Sequence, residues 1–224
     1  MKTWIEHQWG KIQHTCHVSS LQRAEIEPGE EDLALSLGFI SADDDKDYWY
    51  NCRSTRVQLK KNARKYKGKL TGIVFNDTWL SKPLSNGLRI METKRIYKEW
   101  IGRKGFTAYE GDDEFLPEDT CIMYYLEDEL VAYSKLRLHN KSAQLLVNAG
   151  TIPKIAMDTL KYELYWLKEQ GKEYCYFGQG YEHCSFWKAD QSTFQWWDGN
   201  KWSRNIEEFK SLCDRDTKIV FESS

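Results

Sequence analysis

CIMYYLEDELVAYSKLRLHNKSAQLLVNAG, residues 121–150, runs directly into TIPKIAMDTLKYELYWLKEQG, residues 151–171, and KEYCYFG, residues 172–178. Cys121–Leu126 and Leu130–Leu138 are β-rich runs separated by Glu127-Asp128-Glu129, which by length and polarity predicts a hairpin. Ala143–Val147 continues the sheet. Asn148-Ala149-Gly150-Thr151 turns the chain, with Thr151 expected at the helix N-cap, Pro153 within the first turn, and a helix to about Gln170 closed by Gly171. Ile155, Leu160, Leu164 and Leu167 give that helix an apolar stripe, and Glu173–Phe177 reads as the next strand. Three strands, a helix and a strand in this order predict an α+β fold with a mixed or antiparallel sheet flanked by helices.

Upstream, the chain reads as more helical and more polar. Glu30–Leu37 predicts a short helix stopped by Gly38, where a left-handed cap is wanted. Tyr48–Cys52 and Thr71–Phe75 read as strands, with a turn at Asn76-Asp77. Ile90–Trp100 predicts a helix whose Ile90, Ile96, Tyr97 and Trp100 share one face before Gly102 ends it. Downstream, Phe194–Trp197 and Lys218–Glu222 are expected as strands, and Asp198-Gly199 as a tight turn near Trp202. The expected division is residues 1–75 as a helical, basic segment and 76–224 as the sheet-bearing domain, with one continuous domain as the alternative.

Charge is polarised locally. Between Tyr48 and Asn76 stand eight basic residues, Arg53, Arg56, Lys60, Lys61, Arg64, Lys65, Lys67 and Lys69, and no acidic one, although the formal net charge is only -2. As a helix, this stretch would align Arg56, Lys60, Arg64 and Lys67 in a stripe able to track phosphates. The alternative is a solvated face whose counter-charges come from elsewhere. Composition otherwise describes an ordinary folded protein, apart from 10 Trp and 13 Tyr, which fill cores and also build stacking surfaces. No stretch has the length of a signal-peptide core or a membrane span, so a cytoplasmic protein with no membrane partner is expected. The six cysteines form no C-x-x-C pair, and His14, Cys16 and His17 stand without a second ligand cluster, so no metal is expected.

The strand order matches the core of acyltransferases of the N-acetyltransferase fold. Three blocks then resemble a family, the aminoacyl-tRNA-protein transferases (arginyl and leucyl transferases). The first is Pro28-Gly29 to Gly38-Phe39 followed by Tyr48-Trp49-Tyr50 and Cys52-Arg53. The second is Ser54 to Asn62, similar to that family's basic Ser-rich helix. The third is Met123–Tyr133, the 151–171 helix and Tyr174-Cys175-Tyr176-Phe177-Gly178, with a Tyr and then Cys184 beyond. The family's amino-terminal cysteine cluster is not reproduced. After Gly178 the chain also departs from the family's pattern, reading Gln179-Gly180-Tyr181-Glu182-His183-Cys184-Ser185-Phe186-Trp187-Lys188.

The resemblance implies transfer of an amino acid from aminoacyl-tRNA to an amine acceptor, a protein amino terminus in the family, with no further cofactor. An aminoacyl ester is already activated, so the transfer needs positioning, a neutral amine and oxyanion stabilisation. An α-amino group titrates at about 7.7–8.0, so a weak base suffices, and Glu182 with His183 is the candidate pair. Cys184 is a candidate for covalent catalysis, with a packed inert thiol as the alternative. Gly178, Gly180, Tyr176, Tyr181 and Lys188 are the candidate substrate-binding residues; Arg53, Arg56, Lys60, Lys61, Arg64 and Lys65 are those for nucleic acid. An acyl-CoA donor, acting on a small amine, a protein or a nucleobase, is the alternative. The 148–154 junction holds only one glycine, and Pro153 removes a donor amide, both poor for a backbone pyrophosphate cradle. A non-catalytic RNA-binding protein of the same fold is the third reading.

Overall fold

The computed structural model describes residues 1–7, 10–13, 16–18, 20–42, 45–75, 83–104 and 119–222. The expected turn at Asn76-Asp77 lies outside the described residues, as does His14. The chain opens with β1 (Lys2–Glu6), the antiparallel pair β2 (Gly10–Gln13) and β3 (Cys16–Val18), and β4 (Leu21–Glu25). Helix α1 (Glu31–Ser36) leads to β5 (Phe39–Ser41) and β6 (Trp49–Asn51), which complete an antiparallel sheet ordered β1-β4-β6-β5. Gly38 stands at φ +82 with the Trp197 ring against the position of its missing Cβ, so both backbone and space require glycine there.

Next come β7 (Ser54–Gln58), one turn of helix α2 (Leu59–Asn62), β8 (Leu70–Phe75) and the long helix α3 (Pro83–Lys104). The stretch that opens the sequence reading then forms β9 (Asp119–Leu126), β10 (Glu129–Leu138), β11 (Ser142–Gly150), α4 (Ile155–Glu169) and β12 (Tyr174–Gln179). A 3-10 turn (His183–Ser185), α5 (Phe186–Ala189), the hairpin β13 (Phe194–Trp197) and β14 (Trp202–Ser203), and α6 (Ile206–Glu222) close the chain. The large sheet has eight strands ordered β14-β13-β7-β12-β11-β10-β9-β8, antiparallel throughout except for β11 beside β12. The fold is α+β with a large mixed sheet flanked by helices, as the strand order predicts.

Several expectations need correction. The basic stretch is not one helix: Lys60 and Lys61 lie on the single turn α2, but Arg56 lies on β7, whose Val57 pairs Cys175 of β12 on one side and Phe194 of β13 on the other. A strand hydrogen-bonded on both edges cannot coil, and no stripe of Arg56, Lys60, Arg64 and Lys67 forms. β7 and β8 place residues before 76 inside the large sheet. Gly102 does not end α3, which continues to Arg103 and Lys104. Thr151 is no N-cap, since its N–H and Oγ1 both donate to Val131 O, at 2.8 and 3.2 Å, and α4 starts only after Lys154 turns left-handed at φ 67. Lys218–Glu222 is helix rather than strand, because α6 is already committed by Phe209 and Cys213, four apart and both buried.

Leu160, Leu164 and Leu167 of α4 bury against Val131, Leu145 and Phe177 of the sheet. Burying one such side chain is worth about 1.5–3 kcal/mol. The small sheet is latched to the large one by polar groups. Arg137 donates through Nε to Asp119 Oδ1 (3.0 Å) and through Nη1 to Ser41 Oγ and Ala42 O (both 2.8 Å). Gln144 Nε2 donates to Ser41 O at 2.8 Å. Arg137 and Asp119 are 4% and 0% exposed, so each satisfies a charge the other could not shed to water.

Candidate functional site

β11 and β12 pair in parallel for only three residues, Ser142 with Tyr174, Ala143 with Cys175 and Gln144 with Tyr176. Beyond them the strands part. On its other edge β11 carries a bulge: Lys135 faces Val147 and Leu136 faces Leu145, leaving Leu146 extra. A bulge bends its strand and increases local twist, which here accompanies the departure of β11 from β12. β12 instead stays with β7, to Gln179 opposite Ser54.

A cleft of about 640 Å³ opens at the parted end, between the last turn of α3, the end of β11, the start of α4 and α5. Trp100 and Trp187 line it, Arg103, Lys104 and Lys154 bring positive charge, and among the described residues no carboxylate lines it. Trp100 and Trp187, far apart in the sequence, are thus brought together by topology. Arg103 Nη2 donates to Gly150 O, which fixes one cation against the strand end. Backbone amides are poorly placed to add to this charge. Thr151 N donates to Val131 O, Ile155 N to Ile152 O at 3.3 Å, and Met157 N to Lys154 O at 3.2 Å, so much of the first turn is committed internally. An anion in this cleft would meet side-chain cations before backbone N–H groups.

Behind the cleft wall sits a buried carboxyl that the sequence reading passed over. Glu163 of α4 is 0% exposed, and its Oε1 accepts from Tyr124 Oη (2.9 Å), Ser134 Oγ and Asn148 Nδ2 (3.0 Å). Asn148, which lines the cleft, also accepts from Thr159 Oγ1 at 3.0 Å. Burial pushes the Glu163 carboxyl from its ordinary 4.5 up to about 7, against the lowering effect of the Ser134 and Tyr124 hydroxyls. It therefore changes charge near neutrality, inside the network that orients Asn148. The available sequence signal was a Glu at an inward position of the α4 stripe.

The residues singled out from sequence after Gly178 form a strap beside this cleft. Gly178 has φ +71, and a Cβ on Gly180 would meet Phe209 and Thr55 at 2.6 Å. Tyr181 Oη accepts from Arg53 N at 3.0 Å, and Tyr176 Oη accepts from Arg56 Nη1 at 3.1 Å. Glu182 is buried and holds φ 59, ψ 163, a region almost reserved for glycine; such strain collects at functional sites. His183 Nε2 lies 2.5 Å from Asp214 Oδ1 on α6, 60% exposed, and its ring stacks edge-on against Phe186. Cys184 is half-buried, with Sγ 4.0 Å from Tyr181 O. None of Glu182, His183 and Cys184 lines the cleft; the strap reaches it through Trp187, whose ring is 5.6 Å from that of Phe177. Lys188 is buried, and its Nζ donates to Phe177 O (2.7 Å) and Gln179 O, carbonyls beyond the last pair with β11.

The candidate nucleic-acid residues divide by burial. Arg53 is spent on Asp216 (2.5 Å) and stacks over Tyr181, and Arg56 is buried. Lys60, Lys61, Arg64 and Lys65 are exposed on α2 and the loop after it. No group of three or more metal-ligating side chains occurs among the described residues, and no described helix is long and apolar enough to cross a membrane.

No protein-family model matches the chain, and no curated protein matches it. Among solved structures it is similar to the C-terminal domain (DUF2156) of a putative lysylphosphatidylglycerol synthetase from Agrobacterium fabrum (16% identity, TM-score 0.44, 71% of this chain and 55% of that one). Two others are L-PGS from Bacillus licheniformis (19%, 0.44, 70% and 53%) and a GCN5-related N-acetyltransferase from Kribbella flavida (14%, 0.37, 68% and 55%). The chain spans about half the length of the chains it matches.

Proposed function

We propose that this chain transfers an aminoacyl or acyl group from a phosphate-bearing donor, seated in the cleft where β11 and β12 part, to an amine. The observation that carries the reading is the cleft itself: Arg103, Lys104 and Lys154 with Trp100 and Trp187, and no carboxylate among its described lining residues. Guanidinium and ammonium groups take the phosphates, and indole faces take a base. Aminoacyl-tRNA is the donor we favour. With Thr151, Ile155 and Met157 amides committed, the junction offers little of the backbone cradle a pyrophosphate uses. The exposed Lys60, Lys61, Arg64 and Lys65 offer further contacts to a polynucleotide.

In the transfer, the amine nitrogen bonds to the ester carbonyl carbon and the ester C–O bond breaks. The amine gives up a proton, and the departing tRNA hydroxyl gains one. Glu182 and His183 are the candidate proton acceptors, reached directly or through water, and Cys184 is not required by this chemistry. The acceptor is an amine, with a protein amino terminus as the finer proposal.

The test compares charged tRNA with the same tRNA after deacylation across a salt series, following labelled amino acids into a peptide pool. Preference for charged tRNA with label reaching peptide supports the reading. Saturation by an acyl-CoA with acyl transfer replaces the donor. Salt-sensitive binding of both tRNA forms without transfer makes the chain an RNA-binding protein, the reading the exposed lysines favour.

A further inference from the structure

A second cleft, of about 550 Å³, lies at the other end of the β11/β12 pair, between α1, the start of β12 and the β13–β14 hairpin. Arg56 lines it from β7. Its guanidinium carbon is 4.2 Å from the Tyr174 ring centre and 3.9 Å from that of Trp202. Nε donates to Gln195 Oε1 at 3.0 Å and Nη1 to Tyr176 Oη at 3.1 Å. Two of the five guanidinium N–H groups are thus used, on neutral acceptors. Arg56 is 8% exposed and makes no ion pair with any described carboxylate.

A guanidinium that far from water, with no described carboxylate paired to it, is left undercompensated. Of the two described acids lining the cleft, Asp32 is held by neutral donors rather than by Arg56: it accepts from Lys141 N at 2.7 Å through Oδ2 and from Ser142 Oγ through Oδ1. Glu173, also lining the cleft, opposes a densely charged polyanion and leaves room for a ligand bearing a single anionic group.

We infer that this cleft binds a small ligand through one oxyanion, a carboxylate or a phosphate, taken by the fixed fork of Arg56 between Tyr174 and Trp202. Stacking and two hydrogen bonds hold the fork in place before the ligand arrives, so little rotamer entropy is lost on binding. The site does not depend on the transfer reading and lies at the opposite end of the strand pair from the donor cleft.

The test is an NMR titration of the full chain, following the Trp202 indole N–H, which donates to Ser36 O at 2.7 Å, and the Arg56 Nε–H. Inorganic phosphate is added in one arm and acetate in the other, at constant ionic strength. A saturable shift of both signals is expected with at least one anion, and the arm that saturates names the class. Arg56→Lys keeps the charge and loses the fork, and should weaken binding tenfold or more. If that variant does not fold, Tyr174→Leu should weaken binding at least threefold, read on Arg56 Nε–H. No saturable shift with either anion, or undiminished affinity in the folded variant, overturns the site.

Discussion

The two ends of the β11/β12 pair use the same kinds of side chain for opposite purposes. At the Ser142 end the strands are paired, and the charges nearby are buried and fixed: Arg137 on Asp119, Arg56 between two rings. At the Gly150 end the strands have parted, and Lys104 and Lys154 are exposed around an aromatic cleft. Arg137 at the first end is part of the fold's own balance of charge. Lys104 and Lys154 at the second end are exposed to solvent, so their removal is expected to cost little stability.

The largest effect should come from the paired end. Arg137→Ala strands Asp119 in the interior and should cost about 3–5 kcal/mol, read by urea unfolding. A loss below about 1 kcal/mol would show that this pair is not the desolvated buried pair the structure describes.

Glu163 stands between the two ends and sharpens the contrast through pH. Its carboxyl titrates at about 7 folded against an ordinary 4.5, so the native state holds the proton more tightly than the unfolded chain. The stability this provides is fully present below about pH 4.5 and is lost as pH rises through about 7. Glu163→Gln should abolish that loss and exceed the wild type by about 3 kcal/mol above about pH 8, at 1.36 kcal/mol per pKa unit. Equal pH dependence in both proteins would mean the carboxyl is not desolvated as the structure has it.

A smaller effect is expected in the strap. At the φ of 59 that Glu182 adopts, Glu182→Gly should be more stable than Glu182→Ala by about 1–2 kcal/mol, since both lose the carboxylate and only one keeps a Cβ. Calorimetric melting of the two variants decides it. The smallest stability change belongs to the open end. Lys104→Ala with Lys154→Ala should alter unfolding by less than about 0.5 kcal/mol per site. The same pair should flatten the salt dependence of tRNA binding, lowering the log–log slope by roughly 0.7–0.9 for each phosphate that is no longer neutralised. Reduced stability with an unchanged salt slope would reverse the contrast between the ends.

What the sequence made legible follows the same division. β9, β10, β11, α4 and β12 could be read because apolar runs are punctuated by Glu127-Asp128, Gly150 and Gly171, and each break is a local property of the chain. The four-residue spacing of Arg56, Lys60 and Arg64 imitates a helix and masks β7. Thr55 and Val57 carried the strand signal, but only pairing to β12 and β13 makes it decisive. In α6, the β-branched Ile219-Val220 was overridden by a helix begun at Ile206. The cleft at the parted end was illegible for a topological reason. Arg103, Lys154 and Trp187 meet only because α3, α4 and α5 converge where two strands separate, and taking Gly102 as a helix end hid Arg103 and Lys104. Strap residues, clustered in sequence, drew the reading instead.

One spectrum can test the central claim that the donor sits where β11 and β12 part. Tryptophan-labelled protein would be titrated with an aminoacylated acceptor-stem RNA, and the indole N–H signals of Trp100, Trp187 and Trp202 assigned and followed together. Saturable movement of Trp100 and Trp187, with Trp202 unmoved, is the predicted result. Movement of Trp202 alone, or no movement of Trp100 and Trp187 when the RNA is saturating, would contradict it.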